Sequence, residues 1–502
     1  MIEILDTTLR DGEQTSGVAF TSPEKLSILR LLIEELNVDR VEIASAKVSE
    51  GEYDAVKKMA QWAIKNRHID RLEVLGFVDG DISLKWVQET GCRVMNLLCK
   101  GSLKHCREQL RKTPEEHVAD IKKVLILAQQ MNIAINIYLE DWSNGMLNSP
   151  DYVYFMVDQL KDCSIKRFML PDTLGILNPI NTSEYCGLMK KRYPELRFDF
   201  HPHNDYDLAV GNVFAAVYAG ITGIHTTING LGERAGNVPL ASVVATLHDH
   251  LKIKTNIQEN NLNMVSRVVE SYSGIRIPNN KPVIGDSVFT QCAGIHADGD
   301  NKNNLYYNDL LPERFGRSRE YALGKTSGKS NIKKNLEILG IELDDESMRK
   351  VTERIIELGD KKEVITQEDL PYIVADVMQT ENADKIKILN YSLCLTQGLR
   401  PTATVKIEID GQVYEQTAPG DGQYHAFSKA IWKIYNNIGK SKPILTDYNV
   451  NIPIGGRTDA LVQTTISWNF NGKDFKTRGL DVDQNGAAIK ATVKMLNLID
   501  NM

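Results

Sequence analysis

A short apolar run followed by an amphipathic stretch recurs eight times between residues 2 and 252, and this alternation constrains the fold more than any single residue does. The candidate strands are Ile2 to Asp6, Arg40 to Ala44, Leu72 to Phe77, Arg93 to Leu98, Ile133 to Leu139, Arg167 to Leu170, Arg197 to Phe200 and Gly223 to Thr227. Each leads into a helical pattern, as at Pro23 to Leu36, Pro114 to Gln130 and Tyr206 to Ala219, often entered through Ser, Thr, Asp or Asn caps. Strand and helix in turn, without hairpin signals, imply parallel pairing. Eight units in about 250 residues match an α/β fold of the (β/α)8 TIM-barrel type. An open doubly wound sheet is the alternative. It is disfavoured because Thr8-Leu9-Arg10-Asp11-Gly12-Glu13-Gln14, rather than a G-x-G-x-x-G turn, follows the first strand.

From about 255 to 385 the chain becomes mostly helical and charged, as in Met348 to Leu358 and Gln367 to Met378, with loops rich in Gly, Asn and Asp. From about 386 the period switches to two. Thr404, Lys406 and Glu408 alternate with Val405, Ile407 and Ile409, and Asp410-Gly411 is a hairpin turn. A helix follows from about Tyr424. The order then repeats, with strand Leu461 to Phe470, turn Asn471-Gly472, strand Asp474 to Gly479 and helix Gly486 to Ile499. Two β-β-α units predict a small α+β domain built for ligand binding or dimerisation. The divisions are therefore 1–275 for the barrel, 276–385 for the mostly helical linker subdomains and 386–502 for the C-terminal domain.

Composition narrows the partners. Lys and Arg number 59 against 66 Asp and Glu, a net charge of −7, so no excess of cation draws the chain to nucleic acid or to an acidic membrane. No apolar run approaches the roughly 18 residues of a membrane span. The start, Met1-Ile2-Glu3-Ile4-Leu5-Asp6, lacks the order of an export signal, and the 7 cysteines are odd in number with no C-x-x-C pair. Reduced thiols in the cytoplasm are the expectation.

Barrel enzymes carry their chemistry at the C-terminal ends of the strands. The first strand ends in Arg10-Asp11-Gly12-Glu13-Gln14, a denser polar cluster than a plain solvated loop needs. The seventh ends in His201-Pro202-His203-Asn204-Asp205, where alternation sets both imidazoles on one face. Two histidines two apart are often unrelated surface residues, as His248 and His250 are expected to be, but this pair stands at a strand end. Asp11 adds an oxygen ligand from the next strand but one around a closed barrel. After the eighth strand, Asn229-Gly230-Leu231-Gly232-Glu233-Arg234-Ala235-Gly236-Asn237 is either an ordinary glycine-rich turn or one that brings backbone close to a ligand and Asn237 to the same metal.

Together these stretches resemble the α-isopropylmalate synthase, homocitrate synthase and citramalate synthase family, metal-dependent TIM-barrel enzymes that condense acetyl-CoA with a 2-oxo acid. The resemblance spans essentially the whole chain: Thr7 to Gln14, His201 to Asp205, Gly230 to Asn237, Gly294-Ile295-His296-Ala297-Asp298-Gly299, and a C-terminal domain with Gly420-Asp421-Gly422 and Gly455-Gly456-Arg457-Thr458-Asp459-Ala460. It implies that Asp11, His201, His203 and Asn237 are metal ligands, that Arg10 stabilises the substrate oxo group, that Glu140 assists enolisation, and that Thr173 contacts the substrate carboxylate. His296, Asp298 and Tyr306 would complete the acetyl-CoA side, from the partner chain of a homodimer. The resemblance further implies a divalent metal as cofactor, Zn or Mn with Mg and Co as further candidates, and acetyl-CoA as co-substrate. As base, Glu140 and His296 are equal candidates. A related acyl-CoA lyase uses a cysteine in the glycine loop, where this chain has Gly232-Glu233-Arg234, so a synthase is expected.

Leu75, Leu98 and Tyr138 are either barrel-interior packing residues or, if they line the site, the residues that set substrate choice by leaving room for little more than a methyl. Similar residues, together with Glu42-Ile43-Ala44-Ser45-Ala46, Gly76-Phe77-Val78-Asp79-Gly80 and Tyr138 to Gly145, occur in citramalate synthases. Pyruvate is the expected 2-oxo acid, with 2-oxoisovalerate and leucine biosynthesis as the alternative. The resemblance makes the C-terminal domain an allosteric one that binds a branched-chain amino acid, isoleucine in the pyruvate case. His425 stands where the family commonly has an acidic residue. A dead barrel serving as a metabolite sensor is a different reading, and the intact metal set argues against it.

Overall fold

The computed structural model of the chain describes residues 2–300, 305, 308–360, 365, 367–378, 385–451 and 462–500. They form two compact units, Met1–Thr290 with Asn304–Glu320 and Gln291–Asn303 with Tyr321–Met502. In the first, β1 (Glu3–Asp6), β2 (Arg40–Ser45), β3 (Leu72–Phe77), β4 (Val94–Lys100), β5 (Ala134–Glu140), β6 (Ile165–Asp172), β7 (Phe198–Pro202) and β8 (Gly223–Thr226) pair in parallel, and β1 closes on β8. All eight strands expected from the apolar runs are present. The helices between them start where the caps predict: Thr21 with Glu24, and Thr113 with Glu116, form reciprocal capping boxes ahead of Pro23 and Pro114. The helix expected over 23–36 is α-helical over Ser22–Arg30 and continues as a π-helical turn over Leu31–Glu35.

The barrel interior is polar at its N-terminal end. Arg40 of β2 donates to Glu73 of β3 at 2.9 Å and to Asp199 of β7 at 2.5 Å. Strands β2 and β7 are not neighbours, so the second bond crosses the interior. Arg167 of β6 reaches Asp199 at 3.2 Å and Glu3 of β1 at 2.8 Å. Charges this deeply buried persist only when paired, and the network floors the barrel so that the opposite end is free for chemistry.

In the second unit, helices Lys329–Ile338, Asp345–Asp360 and Leu370–Met378 pack around Ile332, Leu336, Met348, Val351 and Ile355. Two three-stranded antiparallel sheets follow: β9 (Ile386–Cys394), β10 (Thr402–Ile409) and β11 (Gln412–Pro419) before helix Gln423–Asn437, and β12 (Ile444–Asn451), β13 (Val462–Phe470) and β14 (Lys473–Asp481) before helix Gln484–Asp500. Each half is therefore β-β-β-α, which corrects the expected β-β-α. The leading strands were hidden because each carries a register shift, between Ile388 and Asn390 and between Leu445 and Asp447. A bulge resets the period of two on which strand recognition depends. The stretch Gly455 to Ala460 lies outside the described residues. Among the described residues, no helix is long and apolar enough to cross a membrane.

Candidate active site

At the C-terminal end of the barrel, Asp11, His201 and His203 place one ligand atom each within 4.8 Å of one another, and all three are buried. The backbone N–H of Asp11 donates to the Thr7 carbonyl at 2.9 Å, turning the chain sharply out of β1. His201 Nε2 lies 3.4 Å from Asp11 Oδ2 and 3.4 Å from His203 Nε2. Asn237 Nδ2 sits 3.0 Å from Asp11 Oδ1, while its buried Oδ1 has no hydrogen-bond partner. Burial pushes the His203 imidazole down to about 4 and also lowers that of His201, although Asp11 opposes the second shift. Both rings are then neutral near pH 7, with lone pairs available. Burial alone would raise the Asp11 carboxyl, but Arg10, His201 and His203 hold it well below the usual range. Two neutral imidazoles and one carboxylate meeting at a buried point form a group that could hold a divalent cation, and Asn237 turns its Nδ2 rather than its oxygen to Asp11.

The glycines of the loop after β8 are required by its own close backbone contacts. A Cβ on Gly236 would lie 2.0 Å from the Gly230 carbonyl oxygen, and one on Gly232 would lie 2.2 Å from Asn237 Nδ2. These glycines let the loop fold onto itself, and that fold aims Asn237 at Asp11.

Behind the cluster runs a chain of polar contacts that sequence reading missed. Arg10 Nη1 meets Asp11 Oδ2 at 2.8 Å, and its Nε donates to Glu42 Oε2 at 2.7 Å. Glu42, fully buried on β2, also accepts from Thr7 Oγ1 at 2.7 Å and Asn96 Nδ2 at 2.8 Å, and Asn96 accepts from Asn136 Nδ2 at 2.8 Å. Burial opposes the charge on Arg10, but Glu42 and Asp11 outweigh it and raise its pKa. A glutamate and two asparagines in the middle of parallel strands were the available signal, since such strands are normally apolar. His225 of β8, 3.3 Å from Asp199, stacks edge-on to His201 at 5.3 Å and ties the site to the charged floor.

Leu75, Leu98 and Tyr138 are brought together, with Met169 of β6 added, as an apolar cluster separate from the core between barrel and helices. The Tyr138 ring is 5.7 Å from that of His201 and 5.9 Å from the Arg10 guanidinium. One layer nearer the mouth, Glu140 pairs with Lys100. The Thr173 hydroxyl accepts from the Asp141 N–H at 2.9 Å and keeps its own proton for another acceptor. His296 and Asp298 lie on the short helix Gly294–Asp300 of the second unit, and Tyr306 is outside the described residues.

Residues 1–269 match the HMGL-like family, residues 283–363 the homocitrate synthase post-HMGL domain-like family, and residues 364–499 the LeuA allosteric (dimerisation) domain. The (R)-citramalate synthase of Methanocaldococcus jannaschii is 33% identical over 503 residues, 100% of both chains. The chain belongs to the citramalate synthase and 2-isopropylmalate synthase family. A putative (R)-citramalate synthase of Methanopyrus kandleri is 33% identical over 93% of this chain and 89% of its own. The 2-isopropylmalate synthase of M. jannaschii is 32% identical over 99% of this chain and 94% of its own.

Proposed function

We propose that the chain is a citramalate synthase, joining acetyl-CoA to pyruvate and hydrolysing the thioester to release CoA and (R)-citramalate, the first step of a route to isoleucine. The observation that carries this reading is the cluster of Leu75, Leu98, Tyr138 and Met169 beside Arg10 and His201. A branched substituent on C2 facing these side chains would need room that a methyl does not. The two extra carbons of 2-oxoisovalerate are worth about 1 to 3 kcal/mol each in such a setting.

Asp11, His201, His203 and Asn237 are the residues that would hold the divalent ion, with Zn or Mn the first choices. When bound, that ion supplies Lewis-acid polarisation of the 2-oxo acid. Arg10, kept charged by Glu42 and Asp11, donates to the oxo oxygen as negative charge grows there. The Thr173 hydroxyl donates its free proton to the substrate carboxylate. A carboxylate at Glu140 takes one proton from the thioester methyl. The electron pair of that C–H bond forms the new C–C bond to C2, and the oxo oxygen gains a proton. Water then cleaves the thioester, so one acetyl-CoA, one pyruvate and one water yield citramalate and CoA. His296 is the second candidate base, and Asp298 and Tyr306 serve the acetyl-CoA side from the partner of a homodimer.

The proposed division of labour is catalysis in 1–275, linkage in 276–385 and amino-acid regulation in 386–502, in a cytoplasmic enzyme. In the regulatory part Asp421 is engaged by Arg400 at 2.6 Å and by His425 at 3.2 Å. Separate titrations with isoleucine and leucine test the effector, isoleucine being expected to inhibit. The function itself is tested by CoA release from acetyl-CoA with pyruvate or 2-oxoisovalerate as acceptor. Faster turnover with 2-oxoisovalerate overturns the pyruvate reading in favour of 2-isopropylmalate synthesis. No release with either acid after divalent-metal loading favours a sensor.

A further inference from the structure

Lys100, the last residue of β4, is an ammonium with only 7% of its surface exposed, at the end of the barrel where the chemistry sits. Among the described residues its one ion-pair partner is Glu140, which lies directly across in the register of β4 and β5. Residues two apart on a strand face the same side. Lys100 and Glu140 therefore share the interior face with Leu98 and Tyr138, one layer nearer the mouth. The lysine backbone is pinned from both sides: its N–H donates to His117 Nε2 at 3.1 Å and its carbonyl accepts from Tyr152 Oη at 3.0 Å. Glu140 is fixed in the same way. Its carbonyl accepts from the Gly101 N–H at 2.6 Å, an approach so close that a Cβ on Gly101 would sit 2.4 Å from the Leu139 carbonyl oxygen. Asp141, which follows it, is held at φ 65° with Oδ2 bound by Ser102 Oγ at 2.7 Å.

A buried ammonium is costly without a partner, and the fold spends two anchored strand ends to supply one. We propose that Lys100 is a positioning residue that aims the Glu140 carboxylate at the thioester methyl, an inference that rests on the reading of Glu140 as the base. In this step the proton moves only from carbon to Glu140. The role of Lys100 is to keep a side chain with a quarter of its surface in solvent from swinging outward.

The test is steady-state kinetics on the metal-loaded full chain with acetyl-CoA and pyruvate, first for Glu140→Gln and then for Lys100→Met, Lys100→Arg and Lys100→Met/Glu140→Gln. Misplacing a base is expected to lower kcat about 100-fold in Lys100→Met with KM for pyruvate little changed, and Lys100→Arg to recover most of it. The double variant is expected to be no slower than Glu140→Gln alone, and the isotope effect with trideuteroacetyl-CoA to rise in Lys100→Met. If Lys100→Met does not fold, Lys100→Gln takes its place. Full activity in Glu140→Gln overturns the reading of Glu140, and the proposal with it. An inactive Glu140→Gln beside a Lys100 variant of normal kcat leaves Glu140 standing and overturns the positioning role, as do losses that multiply in the double variant.

Discussion

Glu42→Gln probes the polar chain that holds Arg10. In the folded barrel this carboxylate accepts from Thr7, Arg10 and Asn96, and the side chains of Arg10 and Glu42 are 8% and 0% exposed. Glutamine keeps the shape but sets an amide donor against the Arg10 or Thr7 donors, and leaves a buried guanidinium short of one negative charge. Breaking a buried pair from one side costs about 3 to 5 kcal/mol. Asp11 still meets Arg10 at 2.8 Å, so the low end, about 3 kcal/mol, is the expected loss. For a domain of this size that corresponds to a fall of roughly 6 to 12 °C in the barrel's melting temperature. Arg10 must then lean on Asp11 alone, drawing that carboxylate away from the histidines, so divalent-ion affinity should fall about 10- to 100-fold. Competition with a chromophoric chelator measures the affinity, and CoA release measures kcat/KM for pyruvate. A variant whose melting temperature and metal affinity both match the parent refutes the assigned role of Glu42.

The same contacts lead to three further expectations. Leu75→Ala combined with Tyr138→Asn should move the kcat/KM ratio toward 2-oxoisovalerate by about 1 to 3 kcal/mol per accommodated carbon, read by CoA release with each acid. Gly236→Ala puts a Cβ 2.0 Å from a carbonyl oxygen at φ 86°, so it should cost about 1 to 3 kcal/mol of local strain and abolish tight metal binding with the barrel's circular dichroism unchanged. In chelator-treated protein, His203 with its folded pKa near 4 against a reference of 6.5 binds fewer protons folded than unfolded. Its contribution is complete above 6.5 and is lost as pH falls toward 4, about 3 kcal/mol in all, so the melting temperature should drop across that window.

The barrel was legible because each strand is a compact apolar run between capped helices, and Thr113 and Pro114 announce a boundary that the structure reproduces at Pro114–Gln130. The cluster of Asp11, His201 and His203 was legible because the two histidines stand two apart at the end of one strand and Asp11 stands at the end of another. Glu42, Asn96 and Asn136 stand out locally only as polar residues inside apolar strands, and neither they nor Lys100 reveal their partners in the sequence. Their partners come from the folded barrel, which brings Glu42 of β2 to Asn96 of β4 through the interior and sets Asn136 and Glu140 of β5 level with Asn96 and Lys100 of β4. Met169 joined the pocket for the same reason, by lying level with Tyr138 on the next strand. Strands β9 and β12 escaped because their bulges interrupt alternation.

The central claim, that this site joins acetyl-CoA to pyruvate, is tested most directly by offering metal-loaded protein methyl-labelled ¹³C acetyl-CoA with equal concentrations of pyruvate and 2-oxoisovalerate and resolving the products by NMR. Nearly all of the label is expected in the methylene carbon of citramalate. Label chiefly in 2-isopropylmalate, or remaining in acetate with no new carbon–carbon bond, contradicts it.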